Sequence, residues 1–248
     1  MHPLLARYMD LDAARQTLSR RAEGAELTAE ERAWLGAADA LPDAREVVAG
    51  AAEDDAEEQD VQEPLLLLAA HAAAAALGAE PRLQPALARA REALVAEGAT
   101  PDQVSEFVAS LVMEEAFGYE DEADDFDADF VADSLGEVPQ LARLTAESVE
   151  EIERGFRGGR ADPVRGAVVQ SLVRQAWGEG PAFINPEHVE AALDEARGVL
   201  SKKEREQVPA VLGELLAALH GKGLVSARRL ERLQARLADA AGAPPAKA

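Results

Sequence analysis

The chain has 248 residues, enough for one large domain or two smaller ones each with its own core, and its 25 Lys+Arg against 47 Asp+Glu give a formal charge of −22. A pI near 4.5 argues against direct nucleic-acid binding, because such affinity comes from clustered cations that displace counterions from the phosphate backbone. The absence of cysteine excludes disulfides, thiolate nucleophiles and Cys-based metal centres.

Alanine, leucine, glutamate and arginine dominate, aromatics are few, and apolar residues recur at three- and four-residue spacings, so the fold class expected is all-α. In chain order, the first element spans 3–21; its apolar stretch is broken by Arg7 and Asp10 and lacks the basic, apolar, small-residue order of a signal peptide. A helix over 28–38 opens on Thr28 with Glu31 three residues on, the spacing of a capping box, and another follows over 42–50. The next, EPLLLLAAHAAAAALG at 63–78, is apolar nearly all round and reads as a central helix surrounded by others. Its apolar run is well short of the roughly 20 residues needed to cross a bilayer, so no membrane is expected and the protein reads as soluble and cytoplasmic.

Helices follow over 83–97, 101–117, 127–135, 145–157, 163–177, 186–199, 202–219 and 226–240. Thr100-Pro101, Asp162-Pro163 and Asn185-Pro186 each set a capping oxygen before a proline whose missing N–H costs nothing at the first helical position. Ser201 with Glu204 has capping-box spacing, and Pro209 should kink the helix that follows. The sum is a two-lobed bundle of about ten to twelve helices with short loops. Residues 1–118 form an acidic first lobe, 119–144 a connecting segment, 145–240 a second lobe and 241–248 a tail. Tyr8, Leu11, Leu18, Leu87, Leu94, Val104, Phe107 and Leu111 are candidates for the first core, and residues such as Ile152, Leu172, Trp177, Leu193, Leu215 and Leu233 for the second.

Charge is unevenly distributed. Residues 1–140 hold nine basic and 32 acidic side chains, while 141–248 hold 16 and 15, so the whole excess lies in the first part. No Lys or Arg occurs between Arg45 and Arg82, and none between Glu92 and Ala142. Such crowding costs self-repulsion unless cations from elsewhere, solvent or a basic partner relieve it.

Within the second gap lies FGYEDEADDFDADF, which sets Phe117, Tyr119, Phe126 and Phe130 among Glu120, Asp121, Glu122, Asp124, Asp125, Asp127 and Asp129. Carboxylates keep such rings solvated and draw in a cationic partner, after which the rings supply buried area. A plain solvated connection anchored by its aromatics is the competing reading. Asp125, Asp127 and Asp129 have the 1, 3, 5 spacing of a calcium loop, but Phe130 and Gly136 occupy the positions that require Gly and a bidentate Glu, so no metal is expected.

His71, in the alanine-rich helix, has Leu67 and Ala75 one turn away and reads as a core histidine. Arg154, Arg157, Arg160 and Arg165, set around three glycines and a helix start, form a candidate anion site unless they neutralise the acidic first part. Lys222, Arg228, Arg229, Arg232 and Arg236 make a weaker basic flank.

With no nucleophile elbow, phosphate loop or dinucleotide fingerprint, and no cofactor implied, the sequence reads as a non-enzymatic interaction or adaptor module. Its acidic, aromatic-bearing surface would dock a basic partner protein, and the alanine-rich helix leaves homo-oligomers open. Two alternatives stand beside this. A nucleic-acid mimic that blocks a DNA- or RNA-binding protein would need carboxylates spaced like phosphates. A small-ligand binder or enzyme would need polar groups converging near His71.

Overall fold

Capping signals, more than propensity, set where this chain turns helical. Asp10 accepts the N–H of Ala13 at 3.0 Å and starts a helix there, which divides the expected 3–21 element into α1 (Pro3–Ala6) and α2 (Leu11–Ala22). At Thr28 both bonds of the capping box form, Glu31 N–H to Thr28 Oγ1 at 3.1 Å and Thr28 N–H to Glu31 Oε2 at 2.6 Å, and α3 (Ala29–Ala40) follows.

The computed structural model describes residues 3–50, 58–117, 128–158, 162–178 and 180–242, and among them the only regular elements are helices. The chain divides into two compact units, Met1–Val131 and Ala132–Ala248. The first contains α1 to α3, then α4 (Pro42–Gly50), α5 (Glu58–Leu77), α6 (Gln84–Ala96) and α7 (Pro101–Phe117). Helix α8 (Ala128–Leu135) spans the division. The second unit continues with α9 (Val138–Leu141), α10 (Ala146–Arg157), α11 (Pro163–Trp177), α12 (Pro186–Val199), α13 (Lys202–Arg205), α14 (Val208–Gly221) and α15 (Ala227–Gly242). Twelve of these helices have eight residues or more and three have four.

In the first unit α5 packs on α1, α3, α4 and α7. Leu68, Ala69, Ala70, Ala72 and Ala73 are fully enclosed, and their small side chains let the neighbouring backbones approach closely. Tyr8, Leu87, Leu94, Val104 and Leu111 join that core as expected, whereas Leu11, Leu18 and Phe107 are half-buried at its margin. In the second unit α11 packs on α10, α12 and α14, and α15 on α12 and α14. Its core takes Ile152, Leu172, Trp177, Leu193, Leu215 and Leu233.

Three elements differ from the sequence expectation. The kinked helix over 202–219 is two helices, because Pro209 has no N–H to continue the ladder and instead sits in the first turn of α14. The central helix begins at Glu58, five residues earlier than expected, and carries Pro64 within it. Of the segment expected to connect the lobes, 119–127 lies outside the described residues, while 128–144 is largely helical and buries Ser134, Leu135, Val138 and Leu141. Most of the expected tail also lies outside the described residues.

Candidate functional site

The acidic–aromatic residues fall mostly beyond description. Tyr119, Glu120, Asp121, Glu122, Asp124, Asp125, Phe126 and Asp127 lie outside the described residues, as does the side chain of Phe117 at the end of α7. Asp129 is exposed on α8. Phe130, expected at the surface as part of the docking face, is only 3% exposed. The turn of α8 that carries Val131 inward also buries Phe130, so this ring is not available to a partner.

Among the described residues, the arginines of the candidate anion site do not converge. Arg160 is outside the described residues. Arg154 faces Glu150 at 4.0 Å and Arg157 faces Glu153 at 3.2 Å, each one turn back along α10. Arg165 pairs with Glu214 of α14 and with Asp162 at 3.9 Å, donates to the Phe156 carbonyl at 3.2 Å and lies 4.7 Å above the Phe156 ring. Each of these three guanidiniums is engaged by a carboxylate of its own unit.

The basic flank of α15 is likewise built into the second unit. Arg228 faces Asp133 at 3.4 Å and Arg236 pairs with Glu190. Arg229 turns inward. At 1% exposure, its side chain meets Glu137, at 2%, with Nε 3.0 Å from both carboxylate oxygens. Arg229 Nη1 donates to the Ile184 carbonyl at 3.3 Å, and the guanidinium stacks 4.8 Å over the Phe183 ring.

Glu137 has a second task. It accepts the backbone N–H of Ser226 at 2.7 Å, while Ser226 Oγ accepts that of Arg229 at 3.3 Å. Ser226 thus caps α15, but the third residue of that helix is an arginine and cannot return the bond a capping box requires. A glutamate 89 positions earlier supplies it, at a helix end whose dipole favours negative charge. Burial pushes the Glu137 carboxyl above its ordinary value, against the opposing pull of Arg229 and the Ser226 N–H.

Nothing local in the sequence marks either partner of this buried cluster: Arg229 sits in the basic flank of α15, and Glu137 falls one place beyond the twelfth position of the calcium-like spacing. The available sequence signal was Ser226 opening a helix without an acid three residues on. These hydrogen bonds tie α15, the turn before α9 and the Phe183–Ile184 loop together, so the cluster acts as a strut of the second unit.

His71 is half-buried and not the core histidine expected, because it lies on the side of α5 that its neighbours leave open. Burial lowers its pKa, with Glu106 of α7 pulling in the other direction, so the ring is neutral near pH 7. His188 is structural: its Nδ1 accepts the Asn185 N–H at 3.3 Å while Asn185 Oδ1 accepts the His188 N–H at 2.9 Å, a box with histidine in the acid's place. His220 Nδ1 lies 2.7 Å from the Val225 carbonyl and therefore carries the proton. Among the described residues no group of three His, Asp or Glu is placed to hold a metal ion, and no helix is long and apolar enough to cross a membrane.

The surface of the first unit carries the remaining candidate. Among the described residues, Asp43 and Glu46 on α4, Asp60 and Glu63 on α5, and Asp102 and Glu106 on α7 are exposed and form no ion pair. The arginines of α2 and α4 are occupied by other acids: Arg15 with Asp12, Arg20 with Glu31, and Arg21 and Arg45 with Asp39. Neither α5 nor α7 contains a Lys or Arg. Compared with protein-family models, curated proteins and solved structures, the chain matches none.

Proposed function

We propose that this protein is a non-enzymatic interaction module whose acidic first unit docks a basic partner protein. The observation that carries the reading is the charge excess of that unit: 30 acidic against nine basic side chains in residues 1–131, with exposed carboxylates that form no ion pair on α4, α5 and α7. Of the arginine cluster in the second unit, Arg154, Arg157 and Arg165 pair with Glu150, Glu153 and Glu214 of that same unit. A field of one sign accelerates encounter with an oppositely charged surface, and apolar contact then holds the complex. The acidic–aromatic segment supplies Phe117, Tyr119 and Phe126 for that second step, with Phe130 removed from the set by its burial.

The test is capture of cytoplasmic proteins on the immobilised chain, comparing it with a variant in which Asp43, Glu46, Asp60, Glu63, Asp102 and Glu106 are changed to Asn or Gln. The reading expects captured proteins with an excess of Lys and Arg, loss of most of them in the variant, and retention that weakens as salt shortens the Debye length from about 8 Å at physiological ionic strength toward 3 Å at 1 M. Capture indifferent to both salt and substitution overturns it.

A further inference from the structure

Helix α5 is packed on by four neighbours, yet one line along it stays open. Asp60, Glu63, Leu67 and Ala75 are exposed and His71 is half-buried between the last two. Their spacings of three, four, four and four residues place them on a single stripe about one-third of the circumference wide. Leu67 is 40% exposed in a helix whose other leucines are largely enclosed. A solvent-facing position in a freely exposed helix would carry a charge, as residues 60 and 63 do; from 64 onward the stripe carries none.

The chemistry changes along its length: two carboxylates at the N-terminal end, then leucine, a neutral imidazole and alanine, with Glu106 of α7 acting electrostatically on His71. Glu53, Asp54, Asp55, Glu57 and Glu58 immediately precede or begin α5 in the sequence, and no Lys or Arg lies between residues 46 and 81. This charge distribution selects among occupants. A second copy of the chain brings the same net negative first part, and nucleic acid or an anionic membrane surface is repelled outright.

We propose that the α5 stripe is the seat of a basic amphipathic helix from a partner protein. Apolar residues of that helix, one turn apart, lie over Leu67 and Ala75, and its lysines or arginines reach Asp60, Glu63 and Glu106, the helix-in-groove mode read as i, i+4 and i+7 anchors. The proposal rests on the reading of the protein as a module for basic partners, and adds the place and the form of the contact.

The probe is a synthetic fluorescent peptide of about 18 residues with leucines at i, i+3/i+4 spacing and lysines on the flanks, long enough for a marginally stable helix. Its binding to the full chain is followed by anisotropy at physiological salt. A scrambled peptide of equal composition shows how much of the binding is charge alone. Leu67→Lys should weaken binding by at least ten-fold, and Glu63→Lys with Glu106→Lys by a similar factor. Val95→Lys replaces another exposed apolar residue, on α6, with the same charge and should change it less than three-fold.

Amide shift changes in the ¹H–¹⁵N spectrum on peptide addition should map to α5 and α7, a readout independent of whether any variant folds. Equal losses in Leu67→Lys and Val95→Lys, equal binding of the scrambled peptide, or shifts lying elsewhere overturn the stripe. In each of those cases, salt-sensitive capture of basic proteins by the native chain would leave the broader reading standing; loss of that capture as well would bring down both.

Discussion

Replacing Arg229 by Met tests the physical account of the second unit most sharply. Methionine keeps the apolar stem and removes the cation, leaving the Glu137 carboxylate in its enclosed site with the N–H and side chain of Ser226 as its remaining hydrogen-bond partners. Two unit charges about 4 Å apart attract by about 4 kcal/mol at the effective dielectric of 20 that suits protein sites, and breaking a buried pair from one side costs about 3–5 kcal/mol. The Ile184 carbonyl also loses its donor, a further contribution of about 1–3 kcal/mol that does not depend on Glu137.

The pH dependence separates the two terms. Burial already raises the Glu137 pKa, and losing Arg229 raises it further. Between the unfolded and folded values the native state holds a proton that the unfolded chain lacks, so stability falls as pH rises through that window. The Arg229→Met deficit should therefore be largest near pH 7.5 and shrink toward pH 5. Adding Glu137→Gln, which keeps an oxygen for Ser226 but no charge, should recover most of the loss at pH 7.5 and flatten the slope.

The assay is urea unfolding followed by fluorescence of Trp177, with Trp34 changed to Phe so that one reporter remains. Trp177 is well placed, since its indole N–H donates to the Ala182 carbonyl at 3.0 Å, next to Phe183 and Ile184. With a loss of about 4–8 kcal/mol and a slope of about 1–2 kcal/mol per M, the single variant should lower the midpoint by at least about 2 M. A deficit independent of pH, or a double variant no more stable than Arg229→Met, would refute the reasoning.

Other outcomes follow from the same structure. Burial depresses the pKa of both His71 and His188, so their neutral forms contribute stability that is complete above the unfolded value near 6.5 and is lost as pH falls through the folded values; His71→Gln and His188→Gln should flatten thermal stability between pH 7 and pH 5. Asn185→Ala removes the oxygen that caps α12 and should cost about 1 kcal/mol in chemical denaturation. Leu68→Ala, at a fully enclosed position of α5, should cost about 2–5 kcal/mol, whereas Leu67→Ala, one residue on the open side, should cost far less.

Helix starts were the most legible feature of the sequence because a cap is local: Thr28 with Glu31, Asp162 before Pro163 and Asn185 before Pro186 form the bonds their spacing implies. The fold class followed from the same periodicities. What depended on distant partners was not legible. Arg229 looks like its neighbours Arg228 and Arg232 until Glu137 is brought against it, and nothing near Phe183-Ile184 announces that this loop closes over a guanidinium. The open side of α5 was hidden for the opposite reason. An alanine-rich helix is apolar all round whether four neighbours surround it or leave a line uncovered, so composition alone assigned His71 to the core. For the candidate docking face, the charge layout was readable by counting, while the aromatic segment's arrangement lies outside the described residues and only Phe130 could be placed.

The borrowed cap on α15 ties the inheritance of two remote stretches together. Because the acid at 137 serves both the backbone amide of the residue that caps that helix and the cation on its first turn, neither position can drift alone without a stranded group inside the molecule. Descendants of this gene should therefore exchange the two residues in concert, and anyone grafting the final helix onto another scaffold must transplant the turn at 136–137 with it.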